Sequence, residues 1–250
     1  KNKAVQKEGS RIGYSPLCGD ITTEMAIAAL KGEQLGLGSA TDMLCVSYSQ
    51  TDVIGHEWGT RGERTDAAYL QLDKNLALLF QTLDEQVGRG QWVAFLTADH
   101  GAAHNWKFMR KHKLPGGPVY GSAIKKGLDS YLAEKLGATQ SVVGDEMNYR
   151  IFLDHSSIAA QGLDLQQVKD AVVAYLKTLP EVVTVVDYEQ ARQSALPQLL
   201  LDRVLMGYYP GRSGDVIAIP KPQYYSWWDT AAPTHTTHGE WNPYDAHIPC

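Results

Sequence analysis

The sequence predicts an α/β protein, a mostly parallel sheet flanked by helices with an α+β elaboration inserted. Three observations predict it. Two short apolar runs, Asp42-Met43-Leu44-Cys45-Val46-Ser47-Tyr48 and Trp92-Val93-Ala94-Phe95-Leu96, have the content of strands, and the second reads as buried on both faces. A long amphipathic stretch, about 63–87, lies between them and completes a right-sized βαβ unit. From 139 to 220, short apolar runs alternate with amphipathic ones and carry almost no candidate chemistry, as expected of an elaboration or cap.

In chain order, residues 1–21 are rich in Gly, Pro and polar types and predict an irregular start. A helix follows through Glu24–Lys31, with Thr22 or Thr23 as its N-cap. In the 63–87 helix, Tyr69, Leu72, Leu76, Leu79, Phe80 and Leu83 form one apolar face. Residues 102–120 read as an excursion ending in Pro115-Gly116-Gly117-Pro118, before a helix over 121–136. Then come a strand pair at 139–144 and 149–153, a helix at 165–179, a strand at 182–186, helices at 188–194 and 199–208, and a strand at 215–219. Three parts are expected: a metal-site α/β core over 1–138, the elaboration over 139–220, and a return to the core over 221–250.

A net charge of -5 gives no reason to expect a nucleic-acid polymer or an anionic membrane as partner. No apolar run approaches the ~18–20 residues of a membrane span. Cys18, Cys45 and Cys250 are too few for a disulfide framework and form no CxxC pair. The start at Lys1, without an initiator methionine or signal-like run, suggests a piece of a longer protein.

The chemistry gathers where the two apolar runs end. The first delivers Asp52 and His56, four apart and on one face if a helical turn starts there. The second ends in Thr97-Ala98-Asp99-His100-Gly101. Parallel neighbouring strands would bring these ends to ~5 Å, at the sheet edge where α/β ligands bind. Thr237-His238-Gly239 adds a third histidine beside a glycine. Two carboxylates and three imidazoles suit zinc, and five ligands fit two ions better than one tetrahedral ion. His235 is a second-sphere partner or a substitute ligand, with His238 preferred for the glycine that follows it. His104 and His112 flank the basic run 107–113 and read as a solvated face, while His155 and His247 read as structural. The aromatic residues Tyr224, Tyr225, Trp227 and Trp228 read as burying a loop.

Asp52-x-x-x-His56, Asp99-His100 and Thr237-His238-Gly239 resemble, in that order, the alkaline phosphatase superfamily. The closer likeness is to its type I phosphodiesterase/nucleotide pyrophosphatase branch and, within it, to periplasmic phosphate-irrepressible alkaline phosphatases. Ser49-Gln50-Thr51-Asp52, Tyr69-Leu70-Gln71-Leu72-Asp73, Leu114-Pro115-Gly116-Gly117 and the run from Thr237 to Pro249 carry it, and it fails mainly between about 140 and 220. The resemblance implies Asp52, His56 and His238 on one zinc, and Asp99 and His100 contributing to a second. It implies a zinc-dependent phosphate-ester hydrolase of the periplasm or extracellular space, most simply an alkaline phosphomonoesterase acting on small esters. A phosphodiesterase or nucleotide pyrophosphatase is the alternative. The family's nucleophilic threonine, remaining aspartate, and substrate-orienting lysine and arginine would lie upstream of Lys1. A reading of another class follows: a non-catalytic fragment that only binds metal. Thr22 and Thr23 read as capping residues, and Cys18 lacks the C-x-P-x-R pattern of a sulfatase.

Overall fold

The computed structural model describes residues 9–228 and 231–248. The first eight residues of the predicted irregular start, residues 229–230 and Pro249-Cys250 lie outside them. The described residues fall into two compact units, one of 9–105, 232–237 and 248, the other of 106–228, 231 and 238–247. Among them no helix is long and apolar enough to cross a membrane.

The first unit is helical. After a 3-10 turn, Gly9–Tyr14, its helices are Leu17–Gly32, Gln50–Trp58 and Glu63–Gln86. The helix predicted to begin at the threonines begins five residues earlier. Thr22 and Thr23 therefore sit inside it, and their hydroxyls donate to the carbonyls of Cys18 and Gly19 rather than capping. Helix Glu63–Gln86 matches its predicted span, but the buried ridge is Thr65, Ala68, Asn75, Leu79 and Thr82. Of the predicted face only Leu79 is fully buried, and Tyr69 is exposed. The shift follows from close approach to helix Leu17–Gly32. A Cβ on Gly19 would lie 2.7 Å from Asn75 Nδ2, and Gln86 Nε2 donates to the Leu30 carbonyl.

The two runs predicted as adjacent core strands are not strands here. Residues 41–48 and 92–98 make no ladder, and Met43, Val93 and Phe95 are 86%, 77% and 85% exposed. β propensity becomes a strand only when a neighbouring backbone takes up its N–H and C=O groups. Neither run is part of a sheet among the described residues.

The second unit holds both sheets. Strand β1 (Gly117–Val119) pairs in parallel with β6 (Tyr224–Ser226), so the predicted excursion ends in a strand. Strands β2 (Val143–Met147), β3 (Arg150–Leu153), β4 (Val182–Asp187) and β5 (Val216–Pro220) form an antiparallel sheet in the order β2-β3-β5-β4. The elaboration is thus α+β as expected, with a tight hairpin whose first strand begins four residues later than the predicted 139–144. Helices Gly121–Leu136 and Leu165–Leu176 contribute Ile124, Leu128, Leu132, Val168, Val172 and Leu176 to its core. Asp164 caps the second of these by accepting from Gln167 N. Lys169, on the same face at 2% exposure, is neutralised by Asp187 and Glu189.

Beside the start of helix Gly121–Leu136 lies the Glu146 carboxylate, so close that a Cβ on Gly121 would meet it. Burial raises the Glu146 pKa; a hydrogen bond from Tyr149 N opposes the shift, and nearby Asp145 adds to it. A carboxyl raised on folding contributes stability below its unfolded value that is lost as pH rises. Glu146→Gln keeps the acceptor for Tyr149 N and removes the charge. The melting temperature of the variant relative to the parent is therefore expected to improve as pH rises above about 4, the ordinary glutamate range. Parallel thermal melts upward from that range check it, and a constant offset refutes it.

Candidate metal centre

Helix Gln50–Trp58 places Asp52 and His56 one turn apart on the same face, as the spacing predicted. His56 Nε2 stands 3.5 Å from Asp52 Oδ2. The second cluster arrives on the segment leading out of 92–98. His100 Nε2 is 3.9 Å from Asp52 Oδ1 and 3.6 Å from Asp99 Oδ2. The four groups form one chain, His56–Asp52–His100–Asp99, in which the two oxygens of Asp52 face two imidazoles from separate segments. These separations exceed good hydrogen bonds. Each pair is instead at a spacing compatible with two donors on one ion.

Why the rings face that way is a matter of carbonyls. A carbonyl oxygen can only accept, so a ring nitrogen bonded to one must carry the proton. His56 Nδ1 donates to the Thr236 carbonyl at 2.9 Å, and His100 Nδ1 donates to the Gly101 carbonyl at 2.8 Å. In the neutral form of either ring Nε2 is then the lone-pair nitrogen, the tautomer a metal ligand needs. The donor set of carboxylates and oriented imidazoles fits zinc.

The segment 232–237 serves as the brace. Thr236 N donates to the His56 carbonyl, Thr236 Oγ1 to the Ala103 carbonyl at 2.5 Å, and Ala103 N to the Thr237 carbonyl. Asn105 Nδ2 donates to the His235 carbonyl at 2.7 Å. His235 is buried, donates from Nδ1 to the His56 carbonyl at 2.8 Å and stacks on the His56 ring. Burial lowers its pKa, and the bond to the His56 carbonyl opposes the shift. His235 thus hydrogen-bonds to and stacks on His56, one of the residues read as a ligand. His238 belongs to the other unit, one residue past Thr237.

Several supports were not legible as such. Thr236 acts through its backbone, which no side-chain pattern signals. His104, read as part of a solvated face, is half-buried and bonds Thr60 at 2.7 Å. Its pKa is lowered by burial and then by Arg61. Gln50, at the start of the ligand helix, is buried within 2.5 Å of where a Cβ on Gly19 would stand. In the second unit, Arg110 of the basic run donates to the Gly116 carbonyl and lies over Trp106. Of the aromatic cluster, Tyr225 and Trp227 are buried as expected, whereas Tyr224 is half-buried and Trp228 is exposed; His155 pairs with Asp215.

Comparison with known proteins gives a consistent result. The family model for type I phosphodiesterase / nucleotide pyrophosphatase matches residues 15–241. Alkaline phosphatase PafA of Elizabethkingia meningoseptica is 38% identical over 95% of this chain and 43% of its own length. A Myroides odoratus protein named calcium-transporting ATPase is also 38% identical over the same shares. A crystal structure of wild-type PafA superimposes with a TM-score of 0.89 at 36% identity, covering 98% of this chain and 46% of that one. The chain thus spans less than half the length of the relatives it matches.

Replacing Thr236 by valine keeps shape and removes the hydroxyl that donates to Ala103. A buried bond of this kind is worth about 1–3 kcal/mol once its acceptor is left unsatisfied. Thr236→Val is expected to lower unfolding stability by that amount in denaturant titrations.

Proposed function

Because the chain belongs to the type I phosphodiesterase/nucleotide pyrophosphatase family, we propose that it carries the metal-binding part of a zinc-dependent phosphate-ester hydrolase. Asp52, His56 and His238 would hold one zinc, and Asp99 and His100 would contribute to a second. The observation that carries this reading is the orientation of His56 and His100, each with Nδ1 spent on a carbonyl and Nε2 turned to one oxygen of Asp52. The likeness to an alkaline phosphatase over nearly the whole chain supports the reaction class.

Zinc bound at these groups supplies positive charge that offsets the repulsion between a phosphoryl group and an attacking oxygen anion. The chain's own residues present the lone pairs and fix the ring planes. The carbonyl partners raise the basicity of each Nε2. Thr22 and Thr23 commit their hydroxyls to helix carbonyls, which supports their exclusion as nucleophiles. The attacking threonine of the family pattern would come from outside these 250 residues.

Monoester hydrolysis is the preferred reading because the name alkaline phosphatase accompanies both the sequence and the structural likeness. Diester or pyrophosphate cleavage is the runner-up and would use the same ligands. Hydrolysis at phosphorus is common to the alkaline phosphatase and ATPase names. The substrate would be a small phosphate ester, and the setting periplasmic or extracellular.

The chain alone is expected to turn over p-nitrophenyl phosphate and bis-p-nitrophenyl phosphate negligibly and to hold at most one zinc tightly. Elemental analysis after dialysis, with both assays in parallel, measures this. Two tightly held zincs with ordinary turnover would refute it. His56→Ala is expected to abolish zinc retention, and an unchanged zinc content would remove the assignment.

A further inference from the structure

The hairpin joining β2 to β3 turns through two residues, Asn148 and Tyr149, between the paired Met147 and Arg150. Both have positive φ, 50° and 67°. A two-residue turn of this kind favours asparagine followed by glycine, because the second position must also be left-handed. A bulky aromatic there is a conformational outlier, and such outliers persist only where surrounding contacts over-determine them.

The contacts around Tyr149 are of that kind. Its N–H donates to Glu146 Oε1, and its carbonyl accepts from Ala218 N. The ring is 7% exposed and packs within the core of the second unit. The hydroxyl reaches out of the sheet to accept from Ser226 N at 2.8 Å and to donate to Glu240 Oε1 at 3.0 Å. Burial, reinforced by Glu240, pushes the phenol pKa up, so the donor keeps its proton. Glu240 is itself buried and two residues past His238, with Gly239 at φ 96° between them. Beyond Glu240 the segment is tied again: Glu240 N donates to Asp245 Oδ2 at 2.7 Å, and Arg203 Nη1 donates to the Trp241 carbonyl at 2.8 Å.

We propose that Tyr149 is a positioning residue for His238. The elaboration accepts an unfavourable turn in order to place a hydroxyl that anchors Glu240 and thereby fixes the histidine two residues before it. This deepens the metal-site reading above and rests on it. A block of sequence that supplies none of the proposed ligands would then set the affinity of the metal site through one hydrogen bond.

The test is a double-mutant cycle on zinc affinity in the full 250-residue chain, read by chelator competition well below the melting temperature. Tyr149→Phe keeps the ring and deletes the hydroxyl; Glu240→Ala deletes the acceptor. Each is expected to weaken zinc binding by about 10-fold or more, the usual effect of losing a group that orients a ligand. The double variant should be no weaker than the worse single one, as two ends of one interaction require. Ile158→Val trims the same core away from the turn and should leave zinc affinity unchanged, which separates positioning from general stability. Wild-type affinity in Tyr149→Phe, or additive losses in the double variant, overturns the inference while leaving the metal site standing. Should Tyr149→Phe fail to fold, Glu240→Ala alone decides in the same way. Unchanged affinity in His238→Ala removes the underlying metal reading and the inference with it.

Discussion

The hydrogen bond from His56 Nδ1 to the Thr236 carbonyl is the constraint on which the centre depends. An imidazole has two nitrogens of equal reach, and nothing in the residue itself decides which one keeps the proton. A main-chain oxygen settles the choice because it has no proton to give. The same device recurs at His100 with the Gly101 carbonyl. Both rings are thereby oriented in the folded chain, and under the proposed metal reading the cost of orienting them is met during folding rather than binding.

That constraint explains the prominence of the segment 232–237, which has little secondary structure of its own. It accepts from His56, donates to the His56 and Ala103 carbonyls, and stacks His235 on the ligand ring. A rigid strand pairing would offer its hydrogen bonds at fixed intervals. An irregular segment can offer each where a particular side chain needs it, at the expense of a long loop closure. About 180 residues separate its contacts with the ligand helix.

Much of this was legible in the sequence, and the remainder divides by physical cause. Helix Glu63–Gln86 was legible because a long period of 3.6 is hard to mistake. Asp52 and His56 were legible because helical spacing alone makes them neighbours, and the short strands of the elaboration were found to within a few residues. The strands at 42–48 and 92–96 failed for a different reason: strand formation is a property of pairs of segments, and periodicity reports on one at a time. The threonine cap failed because Leu17-Cys18-Gly19 carries weak helix signals, and packing against Asn75 and Gln50 overrides the glycine. The carbonyl of Thr236 was invisible because every residue has one. Family membership was carried by ligand order rather than by fold pattern, which is why it was reached while individual strands were misplaced.

The turn at Asn148-Tyr149 has a consequence for how this fold would drift or be engineered. Glycine at 149 would relax the left-handed backbone, and a stability-guided redesign or a consensus built on hairpin statistics would choose it. If the hydroxyl serves His238, that choice makes a sturdier sheet and a poorer metal protein. Position 149 is then a place where thermostability and function pull in opposite directions, and a tyrosine retained there against the statistics of its turn is the mark selection would leave.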